Sequence, residues 1–528
     1  MSDEPTPPMR VAIVGGGPRG LYCLESLASA ITASAVCRPV HVTLFEPTST
    51  PGAGNVYAPD QPRYLRMNFA VKHINAWSPD RTGDQRPSLL MWLQQRYPRW
   101  ADPDATLPRA VVGRYLEDCF DRVLEGLPGG MSVEIRRQSV RALRRRSNQW
   151  WVCSEDEPRP YDEVVMTVGH QGWRRGRAMV YPVDRQLSPL RVPAGANVTI
   201  RGFALTWIDA TLALTEGRGG RFLRSANGFI YQPSGWEPAA IVPHSRSMRP
   251  MLAKADDREL DASLHCRGLW SPLRREIEAL EKPPQGFDFE SQIWPLVLRA
   301  AAAALEHVSA PTSPVECPQR WFERYTAGRM TAAAAEQCMR QSYAIAIGNR
   351  QPDAGWALGE AWRQLYPAMV EQLSHGGLAV DSWPAFTQIA REMERIAFGP
   401  PAENLGRMLA LLDAKILRLE PTGDDASEAI EIDAVLASPH QWPNDSPLSI
   451  LMRDGWIRRQ PGGQGVMVDR CGRPTRADGR TTPGLAVLGR VTEGCIIGND
   501  TLSRTLHRHC AAWAHSLVNQ LQRKPQTT

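Results

Sequence analysis

A glycine-rich turn between an apolar strand and a helix is the feature that most constrains the fold of this chain. Residues 11–14 predict a buried strand and residues 21–30 a helix, and the turn between them fits the G-x-G-x-x-G pattern. The turn consists of Gly15, Gly16, Gly17, Pro18, Arg19 and Gly20. In a dinucleotide site, Gly15 makes the tight turn, Gly17 admits a pyrophosphate and Gly20 lets the helix pack closely. The helix N-terminus then offers N–H groups and a positive dipole end to the phosphates.

Two further strands complete this predicted nucleotide-binding unit. Residues 42–46 predict a strand that ends in Glu46, whose carboxylate we expect to accept hydrogen bonds from an adenosine ribose. Residues 161–168 predict a fully buried strand that ends at Gly169, at the sheet edge where cofactors bind. His170 follows this strand and either tunes a proton equilibrium at the site or is structural.

A second strand, glycine turn and helix begin at residue 198 with a less complete pattern. The residues that we predict to bind a second dinucleotide here are Gly202, Ala204, Leu205 and Thr206. Ala204 stands where the second glycine is usual, and Trp207 stands where a small residue is expected. Arg246 and Arg249 follow the next predicted strand. Guanidinium groups there suit a 2′-phosphate and favour NADPH over NADH, although surface arginines are the alternative.

Composition narrows the class of protein. A chain of 528 residues predicts two or three domains, and a net charge of +5 gives no reason to expect a nucleic-acid partner. The basic cluster at residues 141–146 is predicted to be a solvated strand edge or turn. The sequence shows neither a signal peptide nor a membrane-spanning window, so we expect a cytoplasmic protein with no membrane partner.

The ten cysteines contain no C-x-x-C pair. This pattern is typical of reduced cytosolic thiols and argues against a thiol–disulfide redox enzyme, which needs two neighbouring cysteines.

The order of these elements resembles the flavoproteins with two dinucleotide-binding domains. Within them, the chain is similar to FAD–NAD(P)-binding proteins grouped with nitrosuccinate-forming amino-acid N-monooxygenases. The resemblance rests on residues 15–20, 46–47, 52–57, 108–116, 161–170, 205–209, 218–220, 231–238 and 489–500. It implies an α/β fold with two Rossmann-like dinucleotide-binding domains, one for FAD and one for NADPH, and an inserted helical region.

The resemblance also implies domain boundaries. Residues 1–190 are the N-terminal part of the FAD-binding domain, residues 191–260 the NAD(P)H-binding segment and residues 261–415 a helical substrate or lid region. Residues 416–528 return to the FAD-binding domain. The FAD contacts expected beyond the first turn and Glu46 are Asn55, Asn68, Arg114, Gly169, Gly489, Gly494, Asn499 and Asp500.

The C-terminal part carries a separate prediction. We expect a helix over residues 501–521 that is capped by Asn499 or Asp500. Its first N–H groups would face the electron-accepting edge of the flavin. Gly489-Arg490 departs from the Gly-Asp pair that is common near the ribityl chain in related folds.

The chemistry implied is that of an NADPH-consuming flavin monooxygenase. Such enzymes add dioxygen at flavin C4a and pass one oxygen atom of the hydroperoxide to a nucleophile, here the nitrogen of a small amine or amino acid. Residues 66–73 loosely resemble a segment that lines the flavin pocket of amino-acid N-hydroxylases. Asn68 would bond the flavin or nicotinamide and Lys72 a substrate carboxylate, or both are ordinary loop residues. With His170, these are the predicted catalytic residues, and no metal is expected.

Two other functions stay open at this point. One is a flavoprotein NAD(P)H dehydrogenase or reductase that inserts no oxygen. The other is a catalytically silent nucleotide-binding scaffold. The oligomeric state also stays open, a homo-oligomer included.

Overall fold

The computed structural model describes residues 7–34, 38–79, 86–169, 178–255, 266–309, 316–421, 429–439, 441–499 and 501–522. The strands in these ranges are β1 (Met9–Val14), β2 (Val40–Phe45), β3 (Met131–Arg136), β4 (Ala142–Arg146), β5 (Gln149–Cys153), β6 (Arg159–Tyr161), β7 (Glu163–Met166), β8 (Ala178–Met179), β9 (Asn197–Arg201), β10 (Arg221–Ser225), β11 (Gly228–Gln232), β12 (Ala240–His244), β13 (Ile430–Asp433) and β14 (Leu485–Val487). The α-helices are α1 (Pro18–Thr32), α2 (Leu89–Arg96), α3 (Arg109–Glu125), α4 (Val183–Gln186), α5 (Leu205–Leu214), α6 (Arg267–Glu278), α7 (Trp294–Val308), α8 (Pro318–Thr326), α9 (Ala332–Ala346), α10 (Ala354–Leu373), α11 (Trp383–Ala397), α12 (Ala402–Asp413), α13 (Pro447–Arg453) and α14 (His509–Gln522). Over these ranges, no helix combines the length and the apolar character that crossing a membrane requires.

The first sheet contains five parallel strands in the order β14-β7-β1-β2-β3. Its central strand β1 is almost wholly buried, as expected for a parallel strand that is covered on both faces. Strand β14 joins the sheet from the far end of the chain and pairs Leu485 with Val164. A small antiparallel sheet, β4-β5-β6, packs beside it and buries Trp150.

The second sheet is also parallel, in the order β12-β9-β13-β8. Strands β8 and β13 lie outside residues 191–260, the segment that was predicted to form this unit. The predicted boundary at residue 416 assigned β13 to the first domain, but Ile432 pairs with Ile200 of β9. The reason is burial, because Ile432 is enclosed in the core of the second sheet. With this correction, the two sheets confirm the predicted α/β architecture with two Rossmann-like units.

Helices α6–α12 are inserted between β12 and β13. Helix α12 packs into the core of the second sheet, whereas α6, α7, α8, α10 and α11 share an aromatic core. Phe289 and Trp294 both contact Trp362 at its centre. Between residues 318 and 346 the chain forms two helices, α8 and α9. Gly328 has a positive φ of 58° between them, and the Thr331 hydroxyl accepts from Ala334 N to begin α9.

The C-terminal helix begins at His509 rather than at residue 501, so the predicted helix start is wrong. Hydroxyl groups upstream compete with helical hydrogen bonds: Thr501 Oγ1 accepts from Ser503 N at 3.0 Å and Ser503 Oγ from Thr505 N at 3.2 Å. Arg504 is drawn into the core, where it pairs with Glu25 at 2.7 Å.

Candidate functional site

The first glycine turn connects β1 to α1, and its glycines are required by close backbone approach. Gly15 has a φ of 104°, and a Cβ atom there would lie 2.8 Å from Thr167 O at the end of β7. A Cβ at Gly20 would lie 2.2 Å from Gly15 O. Thr167 Oγ1 also donates to Gly15 O at 2.6 Å. The turn therefore lies directly against the carboxyl end of the first sheet, as the sequence predicted.

The N-terminus of α1 is left open to an external acceptor. Helix α1 begins at Pro18 with Gly17 as its N-cap, and within the described chain no side chain caps it. Its first turn contains no acidic residue either. Because the first N–H groups of a helix lack internal partners, this end has the donors and the dipole to bind a phosphate.

Glu46 lies at the end of β2, against this turn. It is buried, and its Oε2 accepts from Gly16 N at 2.7 Å while its Oε1 accepts from Thr48 N at 2.9 Å. Each carboxylate oxygen can accept a further bond. The position at the strand end agrees with the predicted ribose contact, and the contact itself stays a prediction.

The loop at residues 52–57 covers the glycine turn. Gly52 N donates to Gly16 O at 2.7 Å, and a Cβ at Gly54 would lie 3.1 Å from Gly17 Cα. The next residue, Asn55, is exposed. The loop thus brings Asn55, a predicted cofactor contact, next to the glycine turn. A side chain at position 54 would prevent the loop from packing this closely against the turn.

Residues from both ends of the chain meet beside this turn. The Arg19 guanidinium donates to Asn499 Oδ1 at 3.2 Å, and Asn499 Nδ2 donates to Gly489 O at 3.0 Å. Gly494 lies further along the same loop with a φ of 97°. The structure therefore brings together Arg19, Gly489 and Asn499, which were each predicted separately. It also shows that Asn499 does not cap α14.

The remaining predicted residues of the first site have mixed positions. Gly169 is exposed just beyond β7, and Arg114 is exposed on α3. Their predicted cofactor contacts stay predictions. His170 and Asp500 lie outside the described residues.

The second glycine turn connects β9 to α5. Gly202 has a φ of 120°, and a Cβ there would lie 3.2 Å from the carbonyl carbon of Ala434, beyond β13. Helix α5 begins at Leu205 after Ala204, and no described side chain caps it. Thr206 is buried in its first turn. A second helix N-terminus is thus open to a phosphate at the carboxyl edge of the second sheet.

Trp207 does not fill this turn. It is 3% exposed, and its ring centroid lies 5.0 Å from that of Phe203 in the core of the second sheet. Arg246 is exposed after β12, as a contact to a 2′-phosphate requires. Arg249 is wrong for that role, because its guanidinium donates to both carboxylate oxygens of Glu392, at 2.9 and 2.8 Å.

Comparison with known proteins agrees with this geometry. Residues 12–171, which contain the first turn and Glu46, match the family model described as FAD-NAD(P)-binding. Over these residues, the chain is similar to FAD-NAD(P)-binding proteins. The match agrees with the predicted cofactors, FAD and NAD(P).

The chain has curated relatives that are named L-aspartate N-monooxygenase and nitrosuccinic acid synthase. It is 26% identical over 385 residues to an L-aspartate N-monooxygenase (nitrosuccinate-forming) of Streptomyces davaonensis, covering 64% of this chain and 59% of that enzyme. It is 29% identical over 336 residues to the enzyme of the same name from Streptomyces cremeus, covering 55% and 50%. A nitrosuccinic acid synthase of Aspergillus oryzae is 27% identical over 488 residues, covering 77% and 72%. The chain thus spans 50–59% of the length of the two Streptomyces enzymes.

The predicted residues Asn68 and Lys72 lie on one loop with different surroundings. Asn68 is half-buried, and its backbone carbonyl oxygen accepts a hydrogen bond from Lys254 Nζ at 3.2 Å. Lys72 Nζ is paired with Asp104 at 2.7 Å, so its charge is already balanced within the chain. Lys254, which also lies 4.5 Å over the Phe69 ring, was missed. The sequence gives no signal for it, because the lysine reaches this loop from the segment after β12.

A buried polar cluster joins the unit that contains the first glycine turn to the unit that contains the second. Arg109, at the start of α3, donates to Asp209 of α5 at 2.8 Å and to Tyr181 Oη at 3.1 Å. Tyr181 Oη also donates to Asp209. Burial raises the pKa of the Tyr181 phenol above its ordinary value, and the Asp209 carboxylate raises it further, so the phenol stays protonated. Arg109 and Asp209 were part of the sequence resemblance, but their contact was not predicted.

A cavity of about 520 Å³ lies between α11, the segment that follows β12 and the loop at residues 462–464. Its walls include Trp383, Gln388 and Arg391 of α11, and Gln464. Gln464 belongs to the loop that packs against Gly494, since a Cβ at Gly494 would lie 3.0 Å from Gln464 N. Arg391 is exposed, so its guanidinium is accessible to an anion.

Proposed function

We propose that this chain is an FAD-dependent, NADPH-consuming monooxygenase that N-oxidises a small amine or amino acid. The observation that carries the proposal is a pair of open helix N-termini, each of which follows a glycine turn at the edge of a parallel sheet. The contact of Arg109 with Asp209 joins the two units. The names of the curated relatives support N-oxidation over the reductase alternative.

FAD would occupy the first turn. The N–H groups after Gly17 would bind its pyrophosphate, Glu46 its ribose, and the segment around Gly489 and Asn499 would line its ring end. When bound, FAD supplies hydride acceptance from NADPH and the activation of dioxygen. The protein positions the cofactors and excludes water from the reacting groups.

NADPH would occupy the second turn. Its pyrophosphate would face the N–H groups that follow Ala204, and its 2′-phosphate would face the exposed guanidinium of Arg246. The buried contact of Arg109 with Asp209 would then set the distance between the two cofactors.

The substrate would enter the 520 Å³ cavity beside α11. Arg391 offers a cation for a substrate carboxylate, and Asn68 lies on the loop that Lys254 contacts from the second unit. The substrate nitrogen must be neutral when it reacts, since its lone pair is the nucleophile. Lys72 stays a proposed contact of the substrate carboxylate, and His170 is still proposed to tune the proton equilibrium of the substrate amine. For Lys72, the role requires exchange of its Asp104 partner.

The test is oxygen-18 incorporation. The FAD-loaded protein is mixed with NADPH, labelled dioxygen and a panel of amino acids and small amines. The proposed function expects that one amine accelerates NADPH oxidation and yields an N-oxygenated product carrying the label. NADPH oxidation that no amine accelerates, with peroxide as the sole oxygen product, contradicts the proposal and favours a reductase.

A matched pair of variants tests the substrate cavity. Arg391→Ala removes its exposed cation, and we expect KM for the accelerating amino acid to rise about tenfold with little change in KM for NADPH. Arg470→Ala, which removes an exposed arginine paired with Glu371, serves as the control. Equal effects of the two variants would contradict this placement of the substrate.

A further inference from the structure

Two buried cysteines from opposite ends of the chain lie in contact beside the first glycine turn. Cys23 is on α1, one turn after Gly20, and Cys510 is at the start of α14. Their Sγ atoms are 3.7 Å apart, with the Cys23 thiol donating to Cys510. Both side chains are buried. A disulfide requires the two sulfur atoms to close from 3.7 Å to about 2.0 Å.

The surroundings distinguish the two thiols. The hydrogen bond from Cys23 lowers the pKa of Cys510, against the opposing effect of burial, and the guanidinium groups of Arg19 and Arg504 lower it further. Burial raises the pKa of Cys23. These directions favour Cys510 as the attacking sulfur of the pair.

Cys510 also lines a small cavity. Its volume is about 10 Å³, which is room for one water-sized molecule. Arg19, Arg504 and the phenol of Tyr22 share its walls, so the cavity is electropositive and offers hydrogen-bond donors. Because Arg19 belongs to the first glycine turn, the cavity adjoins the proposed flavin site.

We propose that Cys510 and Cys23 are a peroxide-reactive thiol pair that closes to a disulfide. The Cys510 thiolate attacks one oxygen of hydrogen peroxide, the O–O bond breaks, and a sulfenic acid and hydroxide form. The Cys23 sulfur then attacks the Cys510 sulfur, which forms the S–S bond and releases water. In sum, two thiols are oxidised and one peroxide is reduced to two waters.

The source of the peroxide rests on the proposed function. During turnover, peroxide would come from reduced flavin that reacts with oxygen without oxidising a substrate. The disulfide would then tie α1, whose N-terminus faces the cofactor, to α14. The thiol chemistry itself can be tested with added peroxide, independently of monooxygenase activity.

The test is peptide mapping of the whole FAD-loaded protein without NADPH. The reduced protein is exposed to hydrogen peroxide, alkylated, digested and examined by mass spectrometry under non-reducing conditions. We expect a peptide that links Cys23 to Cys510, formed about tenfold faster than oxidation of the exposed Cys317. Recovery of Cys23 and Cys510 as alkylated thiols after Cys317 is oxidised would overturn the proposal.

Variants separate the two roles. Cys23→Ser should stop the reaction at a Cys510 sulfenic acid that dimedone traps, and Cys510→Ser should leave Cys23 reduced. Cys495→Ser, at another buried cysteine, is the control and should leave the cross-link unchanged. If a variant fails to fold, the wild-type map still decides. A wild-type protein that cross-links but oxidises no amine would refute the proposed function and retain the thiol pair.

Discussion

The Arg109 guanidinium lies 2.8 Å from the Asp209 carboxylate, and this contact joins α3 of the first unit to α5 of the second. The Asp209 side chain is 3% exposed and that of Arg109 17% exposed. Tyr181 completes the cluster through bonds to both residues. Because α5 carries the second open N-terminus, the contact links the two proposed cofactor sites mechanically.

Loss of this contact should slow electron transfer between the cofactors. Asp209→Asn preserves the shape but removes the charge opposite Arg109, and breaking a buried pair destabilises a protein by about 3–5 kcal/mol. We expect a lower unfolding midpoint and, in the protein that stays folded, slower flavin reduction by saturating NADPH. Rapid mixing without oxygen measures the reduction.

The control for that prediction is an exposed ion pair of similar length. Arg470 and Glu371 are 2.7 Å apart with both side chains about two-thirds exposed. Glu371→Gln should change stability by less than about 1 kcal/mol and leave flavin reduction unchanged. If Asp209→Asn reduces stability but not the reduction rate, the contact is only structural.

Gly20→Ala should release FAD. The added Cβ would lie 2.2 Å from Gly15 O, so the turn must open and the N–H groups that follow Gly17 lose their alignment. We expect the purified variant to contain little flavin, measured by absorbance per protein. Gly129→Ala is the matched control, because nothing lies within 4 Å of a Cβ there. Full flavin content in Gly20→Ala would contradict this placement of the pyrophosphate.

Arg246→Ala should weaken NADPH binding and spare NADH. Its exposed guanidinium is proposed to contact the 2′-phosphate, and a charged contact of this kind contributes about 1–3 kcal/mol, or about tenfold to hundredfold in affinity. Initial-rate measurements should show a higher KM for NADPH only. Arg191→Ala removes another exposed arginine and should change neither value. An unchanged KM for NADPH in Arg246→Ala would remove this residue from the site.

The local signals of the sequence predicted the two strand–glycine turn–helix units well. Each depends on a strand, a turn and a helix that follow one another directly, so backbone sterics at Gly15, Gly20 and Gly202 leave few alternatives. The start of α14 was wrong because the hydroxyls of Thr501 and Ser503 bond to the backbone and interrupt the helical pattern.

Contacts between distant parts of the chain could not be predicted from the sequence. Arg19 and Asn499 are 480 residues apart, and Cys23 and Cys510 are 487 apart. Their approach depends on β14 returning to the first sheet and on α14 packing against α1. The absence of a C-x-x-C motif therefore did not exclude a cysteine pair.

Glu237 should make stability depend on pH. Burial raises its pKa, but hydrogen bonds from Ser234 N and the Tyr231 phenol, both at 2.7 Å, outweigh this and hold the pKa below its ordinary value. A carboxylate with a lowered pKa in the folded state stabilises the fold above its unfolded pKa of about 4.3, and this contribution is lost as the pH falls through the folded value. Glu237→Gln should therefore reduce stability by about 1–3 kcal/mol near pH 7. In thermal unfolding, the gap from wild type should narrow below about pH 4, and a gap that stays constant with pH would contradict this role of the charge.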